Sequence, residues 1–188
     1  MGRDKGLLPV GGVAMAERVF SVLSPLFSEV LLAGAPPGRY PFLPCRTAAD
    51  RFPGEGPLAG LHGALLEAAH PAVLLVPCDL PFLSPALLRL LAETYLSGGG
   101  ATGAPPSALV PCSPRGPEPL CAIYGKGCLP EVESALAERR LSISALLPRL
   151  PALLLPAEAV AKADPSFRSF RNVNTAEEYE RIAGDGPA

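Results

Sequence analysis

The chain has no tryptophan, only two histidines and two methionines, and no uninterrupted apolar span long enough to cross a bilayer. Each scarcity removes a class of function. With only His62 and His70 present, a histidine-based catalytic triad or a His-rich metal site has almost no material, and both residues read as helix-surface positions. No Gly-x-Ser-x-Gly elbow occurs, which weakens a serine hydrolase reading. The five cysteines (Cys45, Cys78, Cys112, Cys121, Cys128) are odd in number and contain no Cys-x-x-Cys pair. That pattern argues against a disulfide framework or a thiolate zinc site and fits a reducing cytoplasm. A cysteine nucleophile would lack a visible base. The N-terminus is polar and charged, without the apolar run of a signal peptide. With 16 basic against 18 acidic residues, the chain offers no bulk field for a nucleic acid or a membrane surface, so any phosphate binding must be local.

What is present is an apolar chain of 188 residues, enough for a single domain with a sizeable core. Its centre is the stretch from Ala72 to Phe82, Ala-Val-Leu-Leu-Val-Pro-Cys-Asp-Leu-Pro-Phe. Val73 to Val76 have no polar residue on either alternate face, the pattern of a strand covered on both sides. Asp79 stands at the exit of that strand, where open α/β sheets collect ligands, although an aspartate there can equally stabilise a turn or cap the next helix.

Around this strand the spacing predicts further elements. Val19, Leu23, Leu26 and Phe27 have helical spacing within 13–27. Short strands are expected over 29–33 and 45–49. Pro57 suits a first helical position, with Leu58, Leu61, Leu65 and Leu66 along one face. Ser84 and Pro85 form an N-cap and first-turn pair for a helix over 85–96. The glycine- and proline-rich stretch 97–106 reads as a loop. Strands are predicted over 108–112 and 120–124 with an antiparallel connection between them, helices over 131–140 and 143–147, and a strand over 152–155. Thr175, with Glu178 three residues on, forms a capping box for a last helix. Alternating strands and helices imply a parallel, helix-flanked sheet.

The charged residues in connecting segments that a doubly wound sheet could bring to one edge are Lys5, Asp50 and Asp79. That set suits phosphates and a hard cation: lysine supplies a point charge, and one carboxylate can hold Mg²⁺ that keeps waters and substrate oxygens as its other ligands. Taken singly, Lys5 also reads as a solvated charge, and Asp50, Asn172 and Asn174 as turn residues.

In order, the motifs are Met1-Gly-Arg-Asp-Lys5, Gly56-Pro-Leu-Ala-Gly60, Pro77-Cys-Asp-Leu-Pro81, Pro119-Leu-Cys-Ala-Ile-Tyr124 and Asn172-Val-Asn-Thr175. Together they resemble the molybdenum cofactor guanylyltransferases over nearly the whole chain. The resemblance implies an α/β, Rossmann-like nucleotidyltransferase fold, a mostly parallel three-layer sheet flanked by helices, as one domain over residues 1–188. It implies transfer of GMP from GTP to molybdopterin, with Mg²⁺ as cofactor, in the cytoplasm and with transient contact to proteins that mature molybdoenzymes. On the matching positions, Lys5 binds nucleotide phosphates, Asp50 contacts the nucleotide, Asp79 holds Mg²⁺ and contacts GTP, and Asn172 and Asn174 face molybdopterin. The motifs separate GTP from CTP users poorly. A molybdopterin cytidylyltransferase, a sugar-phosphate nucleotidylyltransferase and a non-catalytic pterin- or partner-binding module remain alternatives.

Two departures stand out. The family normally carries a strand and a Leu-Ala-Gly-Gly loop before the Met-Gly-x-Asp-Lys stretch, and this sequence begins at that Met. A start site set too late, a truncated chain or a degenerate relative would each account for this, the first being preferred, and a gap in the sheet is expected beside Ala72 to Leu75. The strand ending at Ala33 and Gly34 also lacks the asparagine usual near there.

Overall fold

A computed structural model describes residues 4–98 and 105–184 of the chain. Most of the loop expected over 97–106, and the first three residues of the Met-Gly-Arg-Asp-Lys motif, lie outside the described residues. The first described element is a 3-10 turn, Lys5–Leu7, capped by Asp4, whose carboxylate accepts from the Gly6 amide. A hairpin follows, β1 (Pro9–Val10) and β2 (Val13–Ala14). Its two-residue turn, Gly11 at φ 58° and Gly12 at φ 79°, needs left-handed backbone at both positions, which glycine supplies without strain.

Helix α1 is Met15–Leu23, shorter than the predicted span. β3 (Leu31–Leu32) and β4 (Arg46–Thr47) pair in parallel as a ladder of their own. Then come α2 (Gly56–Glu67), β5 (Ala72–Leu75) and α3 (Pro85–Leu96). The Ser84 hydroxyl accepts from Leu87 N, so this helix starts where its cap signal lies. The second half holds β6 (Ala108–Ser113), β7 (Gly116–Pro117), β8 (Ala122–Gly125), α4 (Leu129–Ala137), α5 (Ile143–Leu146), β9 (Ala152–Leu155), α6 (Ala157–Ala161) and α7 (Ala176–Gly184).

The fold is α/β, as expected, with a central sheet between helices. The sheet is mixed: β8 pairs antiparallel with both β5 and β6, while β6 pairs in parallel with β9. Strands β5, β6 and β9 therefore run one way and β8 runs against them. The short link 114–121 between β6 and β8 has no room for the crossover helix that a parallel pair requires.

Alternate residues of each strand serve opposite helical layers. Ala108, Val110, Ala122 and Tyr124 face α2 and α4 through Leu58, Leu61, Leu65, Val132 and Leu136. Leu109 and Ile123 face α3 and α6 through Leu87, Leu91 and Val160. In β5, Val73 and Leu75 join the first layer and Ala72 and Leu74 the second. Both faces of β5 are covered, yet all its residues stay half-buried because, among the described residues, it pairs on one edge only. Beyond the other edge lies a cavity of about 890 Å³, lined by Phe27, Leu31, Leu32, Leu74 and Val76 among others. The gap expected beside Ala72 to Leu75 is this space between β5 and β3. Among the described residues, no helix is long and apolar enough to cross a membrane.

His62 departs from the expected surface position: only 2 % of it is exposed. Its ring meets Phe52 edge-on at 5.1 Å and its Nε2 lies 3.5 Å from Glu133 Oε1. The cause is α2 itself, which is buried without interruption from Leu58 to Leu65 between the sheet and α4 and so has no solvent face there. His70 is exposed but lies beyond the helix end, with Nε2 3.0 Å from Ser28 Oγ.

Two glycines let α2 approach its neighbours backbone to backbone. A Cβ on Gly60 would sit 3.4 Å from the Gly34 backbone, and one on Gly63 only 2.7 Å from the Ala49 carbonyl oxygen. In an exposed helix, glycine to alanine gains roughly 1 kcal/mol of propensity. At Gly63 the backbone clash should outweigh that gain, so Gly63→Ala is expected to lose about 1–3 kcal/mol in urea unfolding. Equal or higher stability would rule out the close contact.

Candidate active site

Strand β5 leaves the sheet through Pro77 and Cys78 into Asp79. The 3-10 turn at the start of the chain brings Lys5 to the same place: Lys5 Nζ lies 3.1 Å from Asp79 Oδ2, with the lysine 46 % and the aspartate 14 % exposed. A pair this open contributes under about 1 kcal/mol to stability, so its significance is positional. From the other side Val173 N donates to the Asp79 carbonyl at 3.0 Å. Val173 is fully buried with Val10 and Met15, and Leu8, Phe82 and Tyr179 pack around them. Phe82 stacks on Tyr179 at 5.0 Å and 12°, with the Arg18 guanidinium over the tyrosine ring and that of Arg168 over the phenylalanine.

Asp4 fixes the approach of Lys5. Its carboxylate accepts from Arg39 Nε at 2.6 Å, Tyr40 Oη at 2.8 Å and Gly6 N at 3.0 Å. A Cβ on Gly6 would fall on the Tyr40 hydroxyl, so the Asp-Lys-Gly order is needed for this network to close. Burial alone would raise the Asp4 carboxyl, but the hydrogen bonds from Tyr40 and Arg39 outweigh it and hold the pKa below the ordinary 3.8. Burial, and then the bond to Asp4, push the Tyr40 phenol far above its usual range, which keeps it a donor. The Cys78 thiol is raised by burial and then by the charges of Asp79 and Asp4, so it stays protonated and is a poor nucleophile.

Two cavities flank the exit of β5. Pro77 and Leu120 line both. Cys78 lines the 890 Å³ cavity and Leu80 a second one of about 840 Å³, with Asp79 between them in the chain. Asp50 lines the first cavity together with Gly54, Gly56 and Pro57 at the start of α2. Its Oδ1 also accepts from Phe52 N at 2.9 Å, so the aspartate opens a turn as well. Asn172 lines the second cavity. Asn174 is occupied elsewhere: its backbone N and its Nδ2 lie 2.9 and 3.4 Å from Glu178 Oε2, beside the capping bond from Glu178 N to Thr175 Oγ1. The structure thus joins Lys5 to Asp79, places Asp50 in one of the two cavities and Asn172 in the other, and gives Asn174 to the helix start.

Among the described residues, no three His, Cys, Asp or Glu side chains gather in a way that would hold a metal ion on their own. A single accessible carboxylate such as Asp79 does suit Mg²⁺, which is commonly held by one or two carboxylates plus waters and substrate phosphates. Sequence reasoning passed over Asp4, Arg39 and Tyr40, and over Arg115, Arg171 and Arg181 in the second cavity. Asp4 carried a usable signal, an aspartate two residues before a glycine in a tight turn; the others meet only through long-range folding.

The chain is a nucleotidyltransferase. Residues 1–152 match the sequence model of the MobA-like NTP transferase domain, and the chain belongs to that family. It is 34% identical over 175 residues to a probable molybdenum cofactor guanylyltransferase of Pelotomaculum thermopropionicum, covering 93% of this chain and 82% of the relative. The crystal structure of molybdopterin-guanine dinucleotide biosynthesis protein A from Archaeoglobus fulgidus superposes with a TM-score of 0.80 at 27% identity, over 98% of this chain and 93% of that one. The 2-C-methyl-D-erythritol 4-phosphate cytidylyltransferase of Thermus thermophilus shares the fold at 20% identity and a TM-score of 0.62, over 96% of this chain and 94% of that one.

The lowered Asp4 pKa has a definite sign in stability. Its contribution is present above the ordinary value of 3.8 and is lost as pH falls through the lower folded-state value. Asp4→Asn should therefore be less stable than the wild type at neutral pH, with the difference closing in strong acid. Urea midpoints measured from neutral to strongly acidic pH check this, and a pH-independent difference would contradict it.

Proposed function

We propose that this enzyme transfers GMP from GTP to molybdopterin, giving the guanine dinucleotide cofactor and pyrophosphate, in the cytoplasm. The observation that carries the reading is the Lys5–Asp79 pair at the exit of β5, where the chain neighbours of Asp79, Cys78 and Leu80, line two separate cavities, as a two-substrate transferase needs. The names of the relatives support the choice of guanine and of the molybdenum cofactor. In this reading the nucleotide lies on the Asp50 side, near the start of α2, and the acceptor on the Asn172 side.

A phosphate oxygen of molybdopterin attacks the α-phosphorus of GTP in line. The bond from that phosphorus to the oxygen bridging to the β-phosphate breaks, and pyrophosphate leaves with the electron pair. Catalysis is positioning and electrostatics. Lys5 exchanges its exposed bond to Asp79 for phosphate oxygens and offsets their charge. Asp79 is the carboxylate that would hold Mg²⁺, which when bound neutralises charge on the phosphates. Asn172 faces the acceptor, and Asn174 fixes the turn that presents it.

Incubation with α-labelled GTP, molybdopterin and Mg²⁺ should yield labelled dinucleotide, and unlabelled GTP should compete far better than CTP. Asp79→Ala should cut transfer by about 10²–10³-fold or more while the circular dichroism spectrum is kept. Undiminished transfer in that variant would remove Asp79 from the chemistry. Preferential use of CTP would replace the guanylyl assignment by a cytidylyl one.

A further inference from the structure

The second cavity collects charge from three separate parts of the chain. Arg115 comes from the turn before β7, Arg171 from the segment leading to Val173, and Arg181 from α7, with Glu118 and Glu178 as the acidic residues of the same lining. The acidic side is already committed. Glu118 Oε1 accepts from Ser113 Oγ at 2.6 Å and from Arg115 Nη2 at 3.4 Å, and Arg115 also donates to the Phe170 carbonyl at 3.1 Å. Glu178 accepts from Asn174. Among the described residues, the guanidinium groups of Arg171 and Arg181 have no hydrogen-bond or ion-pair partner. Three cations thus face two carboxylates, and the two cations without a partner share one concavity.

Arg171 is also held in place. Its backbone N donates to the Arg168 carbonyl at 3.0 Å, and two residues on, buried Val173 bonds to the carbonyl of Asp79. Its guanidinium therefore springs from a backbone tied, two residues on, to that of Asp79, unlike a charge on a loose loop. The planar guanidinium fork matches two oxygens of a phosphate at once, which a lysine cannot do.

We infer that Arg171 and Arg181, backed by Arg115, form an anion chamber that grips the phosphate monoester of the acceptor, with Asn172 as a neutral donor beside them. The identity of the acceptor rests on the function proposed above; the anion chamber does not. Because that phosphate is also the attacking group, Arg171 and Arg181 set how tightly the acceptor is held.

The test is calorimetric titration of the full chain with inorganic phosphate at low ionic strength. Arg171→Ala and Arg181→Ala should each weaken binding about tenfold, and the lysine replacements should recover only part of the loss. Lys5→Ala, which probes capture on the nucleotide side, should leave most of the binding. Unfolding midpoints of the two exposed variants should stay at the wild-type value. Failure of the wild type to bind phosphate would overturn the chamber, as would binding lost in Lys5→Ala but untouched by the arginine variants. In the transfer assay, the double alanine variant should raise the acceptor KM with the GTP KM unchanged; an unchanged acceptor KM would also overturn the chamber while leaving the proposed reaction in place. Arginine-dependent phosphate binding without any guanylyl transfer would have the opposite meaning: the reaction falls and the chamber stands.

Discussion

The cleft depends on a small satellite core, Val10, Met15 and Val173, that fastens the first hairpin and the segment before α7 to the exit of β5. Burying each such side chain is worth roughly 1.5–3 kcal/mol, far more than the exposed ion pair above it. Val10 and Met15 hold the hairpin and α1, and through them the turn that presents Lys5. Val173 holds Asn172 and Arg171 on one side and bonds to Asp79 through its backbone. Phe82, three residues past Asp79, closes the cluster. Lys5, Asp79 and Asn172 therefore take their positions from one apolar contact rather than from attraction among themselves.

Weak attraction at the site suits its use. A lysine 46 % exposed and bonded to one carboxylate oxygen can change partners at little cost, as the proposed capture of phosphate requires. The tighter contacts lie one step away, where Asp4 gathers Arg39, Tyr40 and Gly6. Rigidity is placed behind the Lys5–Asp79 pair, and exchangeability at it.

Much of this was legible in the sequence where a local rule governs. Helix α3 begins and ends where Ser84, Pro85 and the apolar spacing predict, because the cap and the first-turn proline act within a few residues. The apolar run of β5 and the position of Asp79 after it followed from the order of residues 72–82 alone. The reversed direction of β8 relative to β5 did not, since strands some fifty residues apart leave no local mark of their pairing. His62 misled for a related reason: a polar residue on a helix reads as surface until a second helix, α4, closes over it. The motif residues were visible as a set, but Asn174 is held by Glu178, a bond that the capping-box pattern foretold only in part. The arginines of the second cavity come from turns and a terminal helix, where single charges ordinarily mean solvent.

The stack of Arg18, Tyr179, Phe82 and Arg168 has a consequence for how the molecule can be observed. With no tryptophan in the chain, the four tyrosines dominate the near-ultraviolet signal. One of them lies face to face with Phe82, between that ring and a guanidinium, on the helix that closes the second cavity. Its transition is held in an asymmetric surrounding only while α7 rests against the turn after Asp79. The Tyr179 share of the near-ultraviolet circular dichroism, isolated as the difference from Tyr179→Phe, is thus an intrinsic reporter of whether the cleft is assembled, requiring neither label nor substrate.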